Sequence, residues 1–97
     1  MKTLFCHPKF ESSERFTVAG IVENSTLKIG IALCSSRDKF QKKIGRSIAE
    51  GRIKAGKQLF DISIDYNSFK EVSQEFYEQV KVIKATKIND VRKLMKE

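Results

Sequence analysis

Two alternating runs of residues, joined by a two-residue turn signal, constrain the fold of this chain more than any other feature. In the second run, Thr26–Cys34, every second position carries a large aliphatic side chain, which is the period of a β-strand with one buried face. The run Arg15–Glu23 alternates too, and Asn24–Ser25 between the runs is a turn signal. The pair therefore predicts a β-hairpin. The other face of the second strand carries Gly30 and Ala32, which are small enough to lie beneath another element.

A long helix is predicted to follow the hairpin. Ser35–Asp38 has the spacing of a capping box, so we expect the helix to begin at Ser35 and to end near Gly56. One side of its helical wheel carries Phe40, Ile44, Ile48, Gly51 and Ala55. We expect this apolar side to pack on the sheet, with Gly51 in close contact.

The rest of the chain predicts one more strand and two more helices. Apolar and acidic residues alternate from Phe60 to Asp65, and a helical stripe follows a cap at Asn67 or Ser68. A short last helix after Asn89–Asp90 either folds back on the domain or meets another subunit. The predicted fold is α+β, an antiparallel sheet of about three strands packed by two main helices in the order β-β-α-β-α-α. Residues 1–14 are expected to form an irregular arm before a single domain of residues 15–97.

Length and composition favour a small intracellular domain. Ninety-seven residues suffice for one domain, and no run approaches the roughly 20 apolar residues of a membrane span. The start of the chain lacks the apolar run of a signal peptide, and Cys6 and Cys34 do not make a disulfide framework. We therefore expect a cytoplasmic protein without a membrane partner.

Positive charge is concentrated in one segment. The net charge is +7, and residues 37–57 hold eight basic and two acidic side chains, or +6. Clustered cations attract anions, and backbone N–H groups at a helix start bind phosphate. The candidate phosphate-binding residues are Ser35, Ser36, Arg37, Lys39, Lys42, Lys43, Arg46 and Arg52.

Catalysis and metal binding have little support. His7 is the only histidine, and Cys6–His7 lacks a second pair of ligands at the spacing of a zinc site. Asp61 and Asp65 lie on one face of the predicted strand, where a solvated surface explains them. Because no nucleophile, base and orienting group are visible together, we predict a protein that is not an enzyme and needs no cofactor.

The segment from Gly30 to Arg52 resembles a signature of small bacteriophage proteins, in which a strand ending in Cys-Ser leads into a helix. The matching steps are Cys34–Ser35, Asp38-x-Phe40 and Gly45–Arg46 followed by Ala49. It is also similar to the Thoeris anti-defence sponges, phage proteins that sequester cyclic nucleotide signals of bacterial immunity. The resemblance implies a non-catalytic homo-oligomer that buries a small nucleotide between subunits in the host cytoplasm. Ser36 stands where such signatures often have proline.

Three functions remain open at this stage. A nucleotide sponge would hold phosphates with arginine side chains in a poorly screened pocket. A nucleic-acid module would lay the basic helix along a duplex and lose affinity steeply with salt. An inhibitor of a host protein would bind an acidic surface, with Val91, Leu94 and Met95 as apolar anchors.

Overall fold

The computed structural model describes residues 3–34, 39, 41–64 and 69–95. Four strands and three helices follow one another along the described chain in the order β1 (Leu4–Cys6), β2 (Phe16–Glu23), β3 (Thr26–Leu33), α1 (Lys42–Lys54), β4 (Phe60–Ser63), α2 (Phe69–Ala85) and α3 (Ile88–Met95). The strands form one antiparallel sheet in the order β1-β2-β3-β4. The predicted α+β class and its hairpin are therefore confirmed, with one strand more than expected. None of the helices within the described residues combines the length and apolar content needed to cross a bilayer.

The hairpin of β2 and β3 is the centre of the sheet. Its strands pair from Phe16–Leu33 at the open end to Glu23–Thr26 at the turn. Asn24 and Ser25 have φ values of 52° and 59°, the left-handed conformation that a two-residue type I′ turn requires. This turn fixes the register, and the register in turn fixes which side chains share a face.

One side of the sheet, which we call the large-residue face, carries the main core. Large apolar side chains from the two central strands point to this side, namely Phe16, Val18, Leu27, Ile29 and Ile31. Helices α2 and α3 cover them with Phe76, Val80, Ile83, Ile88 and Val91. The predicted stripe of α2 is thus buried at its centre, and α3 folds back on the domain through Val91, which is 1% exposed.

The other side, the small-residue face, carries Thr17, Ala19, Gly30 and Ala32, and α1 packs on it. The contacts come from Gly45, Ala49 and Ile53 of α1. A Cβ at Gly45 would overlap the side chain of Thr17, and one at Gly30 would lie 2.6 Å from both the Ala49 carbonyl oxygen and Ile53 Cγ1. The helix approaches so closely because Gly30 on the sheet and Gly45 on the helix have no side chain.

The predicted packing side of α1 is therefore wrong. Ile44 and Ile48 are 52% and 42% exposed, and nothing lies within 4 Å of where a Cβ would stand on Gly51. Ala55 is also exposed, and Phe40 lies outside the described residues. The physical reason is the shape of the sheet: a face of glycine and alanine takes a helix at short distance, so the side of α1 with Gly45, Ala49 and Ile53 makes the contact and the side with Ile44 and Ile48 does not.

The predicted C-terminal end of α1 is correct, and its predicted start is wrong. Gly56 has φ 75°, and the N–H groups of Gly56 and Lys57 donate to the carbonyls of Ile53 and Arg52, so a glycine closes the helix as expected. The helix begins only at Lys42, after Gln41 in extended conformation. It therefore starts seven residues later than the predicted start at Ser35.

The N-terminal segment also departs from the prediction. Where an irregular arm was expected, Leu4–Cys6 pairs with β2 as an edge strand. After it, Phe10 is 3% exposed and its ring stacks on Phe16 at 4.2 Å between centroids. Much of residues 1–14 thus belongs to the domain instead of preceding it.

Candidate functional site

The start of α1 is electropositive and has no side-chain cap. Gln41 precedes the helix without a capping hydrogen bond, and no acidic residue lies in the first turn. The first turn instead carries Lys42 and Lys43, both exposed. The first N–H groups of a helix have no intrahelical acceptor, and they carry the positive end of the helix dipole. The first turn of a helix usually favours acidic side chains, which offset this positive field. Here two lysines add to it instead.

Arg46 continues the positive surface one turn later. Its guanidinium lies over the ring of Phe5, 5.8 Å from the centroid, a cation–π arrangement that holds the side chain towards β1. Lys42 and Arg46 are four residues apart and therefore share one side of the helix. We call the exposed side chains of Lys42, Lys43 and Arg46 the cationic patch.

His7 borders this patch and responds to its charge. Its Nδ1 lies 3.0 Å from the Thr17 hydroxyl oxygen. Burial lowers the pKa of the imidazole below 6.5, and the positive charges of Arg46 and Lys42 lower it further. The same field that disfavours a protonated imidazole favours an anion.

The patch has no carboxylate to neutralise it within the described part of the chain. The salt bridges there are Lys28–Glu23, Lys54–Glu50 and Lys81–Glu78. Glu50, the nearest acidic residue on α1, accepts a 2.9 Å hydrogen bond from the Thr3 hydroxyl and pairs with Lys54 at 3.9 Å. Glu50 follows Arg46 by one helical turn, and both of its carboxylate oxygens have partners other than the cationic patch.

The predicted phosphate-binding residues fall into three groups. Ser35, Ser36 and Arg37 lie outside the described residues. The predicted helix start at Ser35 is wrong, because α1 begins at Lys42, and the first-turn N–H groups are those of the turn of Lys42 and Lys43. Lys39 is exposed and lies before the first residue of α1, so it is not part of the helix as the predicted start at Ser35 required.

Arg52 lies apart from the patch, at the other end of α1. Its guanidinium donates to the Ile31 carbonyl oxygen, at a part of β3 that extends beyond the last paired residue of β4. A cavity of about 240 Å³ opens beside it, lined by Ile31, Arg52, Lys57, Gln58, Leu59, Leu94 and Met95. We call this cavity the Arg52 pocket.

The polar groups of the Arg52 pocket are incompletely paired. Gln58 donates from Nε2 to the Asp61 carboxylate at 2.9 and 3.2 Å, but its Oε1 is buried without a hydrogen-bond partner in the described residues. Neither Arg52 nor Lys57 forms a described salt bridge. The pocket thus combines two cations, one free acceptor and apolar walls.

Two other features carry less chemistry. A wider depression of about 630 Å³ is lined partly by Glu11, Glu14, Asp90 and Lys87, a mainly acidic set that repels phosphate. Within the described ranges, no three His, Cys, Asp or Glu side chains group as metal ligands.

Sequence reasoning missed the contributions of Phe5, His7 and Gln58. Phe5 and His7 lie in the segment interpreted as an arm. The strand Leu4–Cys6 has only three residues, and a run of this length is too short to show the alternation that indicates a strand. Gln58 gave no signal, because a single glutamine in a loop is ordinary.

Comparison with known proteins adds no relative to this geometry. No protein-family model, no curated protein and no solved structure matches the chain. The functional interpretation therefore depends on the site itself.

Proposed function

We propose that this protein binds a phosphate-bearing ligand without catalysing a reaction on it. The observation that carries the proposal is the cationic patch: three exposed cations at an uncapped helix start, with no described carboxylate partner. Phosphate satisfies such a group through charge and through hydrogen bonds to backbone N–H groups at once.

The openness of the patch favours the backbone of a nucleic-acid duplex as the ligand. Lys42, Lys43 and Arg46 are exposed, and none of them lines the Arg52 pocket or the wider depression. An open row of cations suits a polyanion that makes several separate phosphate contacts. The sheet gives no alternative surface for base stacking, because α1 covers one face and α2 and α3 cover the other.

Sequestration of a small nucleotide is the second candidate, and the Arg52 pocket favours it. Arg52 and Lys57 are suited to a phosphate, the Gln58 Oε1 to an amino group, and Leu59 and Leu94 to a flat apolar ring. The volume of about 240 Å³ is just below the range of complete ligand sites, about 300–1,000 Å³. The ligand would therefore fill the pocket with only part of its structure, as it would in a sponge that closes its site with a second subunit.

A titration of labelled duplex DNA at two salt concentrations tests the first candidate. If about four phosphates are contacted, affinity should fall on the order of 100-fold between roughly 50 and 200 mM salt. Replacing Lys42, Lys43 and Arg46 with alanine should weaken binding and reduce the slope by about three. The matched control replaces the exposed lysines Lys70, Lys81 and Lys84 of α2 with alanine, which changes net charge equally and should leave the slope unchanged.

The single histidine provides a local readout of the same event. An anion on the patch should raise the His7 pKa, because it offsets the positive charges of Arg46 and Lys42. NMR titration of the imidazole with and without duplex measures this shift. Duplex binding with an unchanged His7 pKa would place the phosphates elsewhere.

The nucleotide candidate makes the opposite demands. A panel of cyclic nucleotides and cyclic ADP-ribose isomers should contain one ligand that binds with little salt dependence. Arg52→Lys should weaken its binding nearly as much as Arg52→Ala, because a lysine lacks the planar pair of donors. Absence of salt-dependent duplex binding by the intact protein, together with nucleotide binding that depends on Arg52, would favour the second candidate over the first.

A further inference from the structure

Helix α1 presents an apolar stripe to solvent on the side away from the sheet. The stripe consists of Ile44, Ile48, Gly51 and Ala55. Two of the five large hydrophobic side chains that are exposed in the described residues, Ile44 at 52% and Ile48 at 42%, belong to it. The spacing of four, three and four residues is that of a seam between packed helices. Phosphate groups do not cover such a surface, so the proposed ligand leaves it unexplained.

Gly51 is the residue of the stripe that the fold itself does not require. The other four glycines each have a structural reason: Gly20 meets Phe76, Gly30 meets Ala49 and Ile53, Gly45 meets Thr17, and Gly56 has φ 75°. Gly51 has a helical conformation with open space around it. A glycine inside a helix costs about 1 kcal/mol relative to alanine. A surface without a side chain is useful only if another backbone approaches it.

The charges bordering the stripe argue against a second copy of this chain as the occupant. If two copies of α1 packed antiparallel through the stripe, the side chains would match in size, since Ile44 would meet Ala55 and Ile48 would meet Gly51. Their charges would repel, because Lys43 would lie beside Lys54 of the second copy. The Glu50 carboxylate is turned to Thr3 and Lys54.

The border instead complements an acidic partner. Lys43 and Lys54 lie along one side of the stripe, where Lys54 also pairs with Glu50 at 3.9 Å. Arg52 lies along the other side, with its guanidinium donating to the Ile31 carbonyl oxygen. Helix α1 carries five cations and one carboxylate over its 13 residues. We propose that the stripe is a docking surface for an acidic amphipathic helix of another protein, whose apolar seam crosses α1 closely at Gly51 and whose carboxylates meet Lys43 and Lys54.

The size of the stripe sets the expected affinity. Helix α1 is about 20 Å long, so a contact confined to it buries less than the roughly 1,200 Å² of a standard interface. Binding should therefore be weak, in the micromolar range or above, and suited to NMR detection.

The test uses a synthetic helical peptide of about 20 residues with a leucine seam at four-three spacing and glutamates along both borders. A matched peptide has lysine at every glutamate position. With the intact protein, the acidic peptide should shift the methyl signals of Ile44 and Ile48 and the amide of Gly51, and salt should weaken the effect. Equal binding of the lysine peptide, or shifts located elsewhere, would overturn the proposal.

Two outcomes identify other occupants and also overturn it. Signals of Ile44 and Ile48 that change with protein concentration alone, more at high salt, would assign the stripe to a second copy. Shifts of the same signals by duplex DNA would make the stripe part of the nucleic-acid interface. Lys43 borders both surfaces, so the Lys42→Ala/Arg46→Ala variant separates them: it should weaken duplex binding and leave peptide binding unchanged.

Gly51→Ala separates docking from folding. Because the site is open, the alanine should stabilise the free protein through its higher helix propensity. The added methyl should hold a partner helix away and weaken the acidic peptide several-fold. A variant that is more stable and binds the peptide as well as the original chain would show that no backbone approaches at Gly51.

Discussion

The two faces of the sheet are closed by opposite means. On the large-residue face, bulky side chains from strands and helices interdigitate, and Phe16 and Phe76 are both 0% exposed. On the small-residue face, α1 approaches where side chains are missing, at Gly30, Gly45 and Ala49. On the first face the buried residues are the large apolar ones. On the second face the closest contact is made by small residues. Of the three isoleucines of α1, Ile53 is buried in this contact, whereas Ile44 and Ile48 are left for solvent or for a partner.

Phe76→Ala should have the largest effect, because it opens a cavity in the large-residue face. Loss of a buried phenylalanine costs about 3–5 kcal/mol of unfolding free energy, and the space faces Gly20, which has no side chain to refill it. Urea denaturation measures the loss. The control Val82→Ala, at a site 55% exposed on the same helix, should change stability by less than about 0.5 kcal/mol. A similar loss in both variants would contradict the assignment of Phe76 to the core.

Gly30→Ala should be next, because it adds one methyl group to the small-residue face. The new Cβ would stand 2.6 Å from the Ala49 carbonyl oxygen, a backbone atom that moves only if the helix does. Overpacking of this kind costs about 1–3 kcal/mol. A neutral result in thermal unfolding would mean that α1 lies on the sheet less closely than the structure has it.

Gly45→Ala and Gly51→Ala should have effects of opposite sign within one helix. Both gain helix propensity of up to about 1 kcal/mol. At Gly45 the methyl would overlap the side chain of Thr17, which is fully buried and lies within hydrogen-bond distance of His7, so the net effect should be destabilising. At Gly51 the gain should remain. Changes of the same sign in parallel denaturation curves would remove the distinction between the two sides of α1.

The pH dependence contributed by His7 should be the smallest effect. Its pKa is lowered in the folded protein by burial and then by Arg46 and Lys42. Below about pH 6.5 the unfolded chain therefore binds more protons at His7 than the folded protein does. The contribution of His7 to the free energy of unfolding should be fully present above that pH and should decline as the pH falls towards the folded pKa. His7→Gln should remove this part of the slope. An unchanged slope would show that His7 is not held neutral against the small-residue face.

Alternation and helical periodicity predicted most of the fold. The hairpin, β4, the buried centre of α2 and the glycine end of α1 all follow from local patterns. The short strand β1 could not be predicted, because three residues give too little alternation and its place depends on the edge offered by β2. The packing side of α1 was missed because periodicity locates an apolar stripe but does not say how near a sheet of small residues allows the helix to come.

The candidate site was predictable in composition and less so in geometry. The concentration of charge in residues 37–57 is enough to identify Lys42, Lys43 and Arg46 as candidates. Their relation to Phe5 and His7 depends on the pairing of β1, and the relation of Arg52 to Ile31 depends on where β4 ends. Contacts between distant segments of this kind leave no trace in local sequence.

The chain-order arrangement of the strands has a consequence for synthesis. Every strand pairs with its neighbour in the chain, and the central pair β2–β3 is a hairpin whose contacts are local, which favours its early formation. During translation the first three strands are complete at Leu33, before α1, α2 and α3 are synthesised. Helix α1 can then cover the small-residue face, while the large-residue face must wait for α2 and α3. The more apolar of the two faces is thus covered later, and its transient exposure makes it the more aggregation-prone face during synthesis.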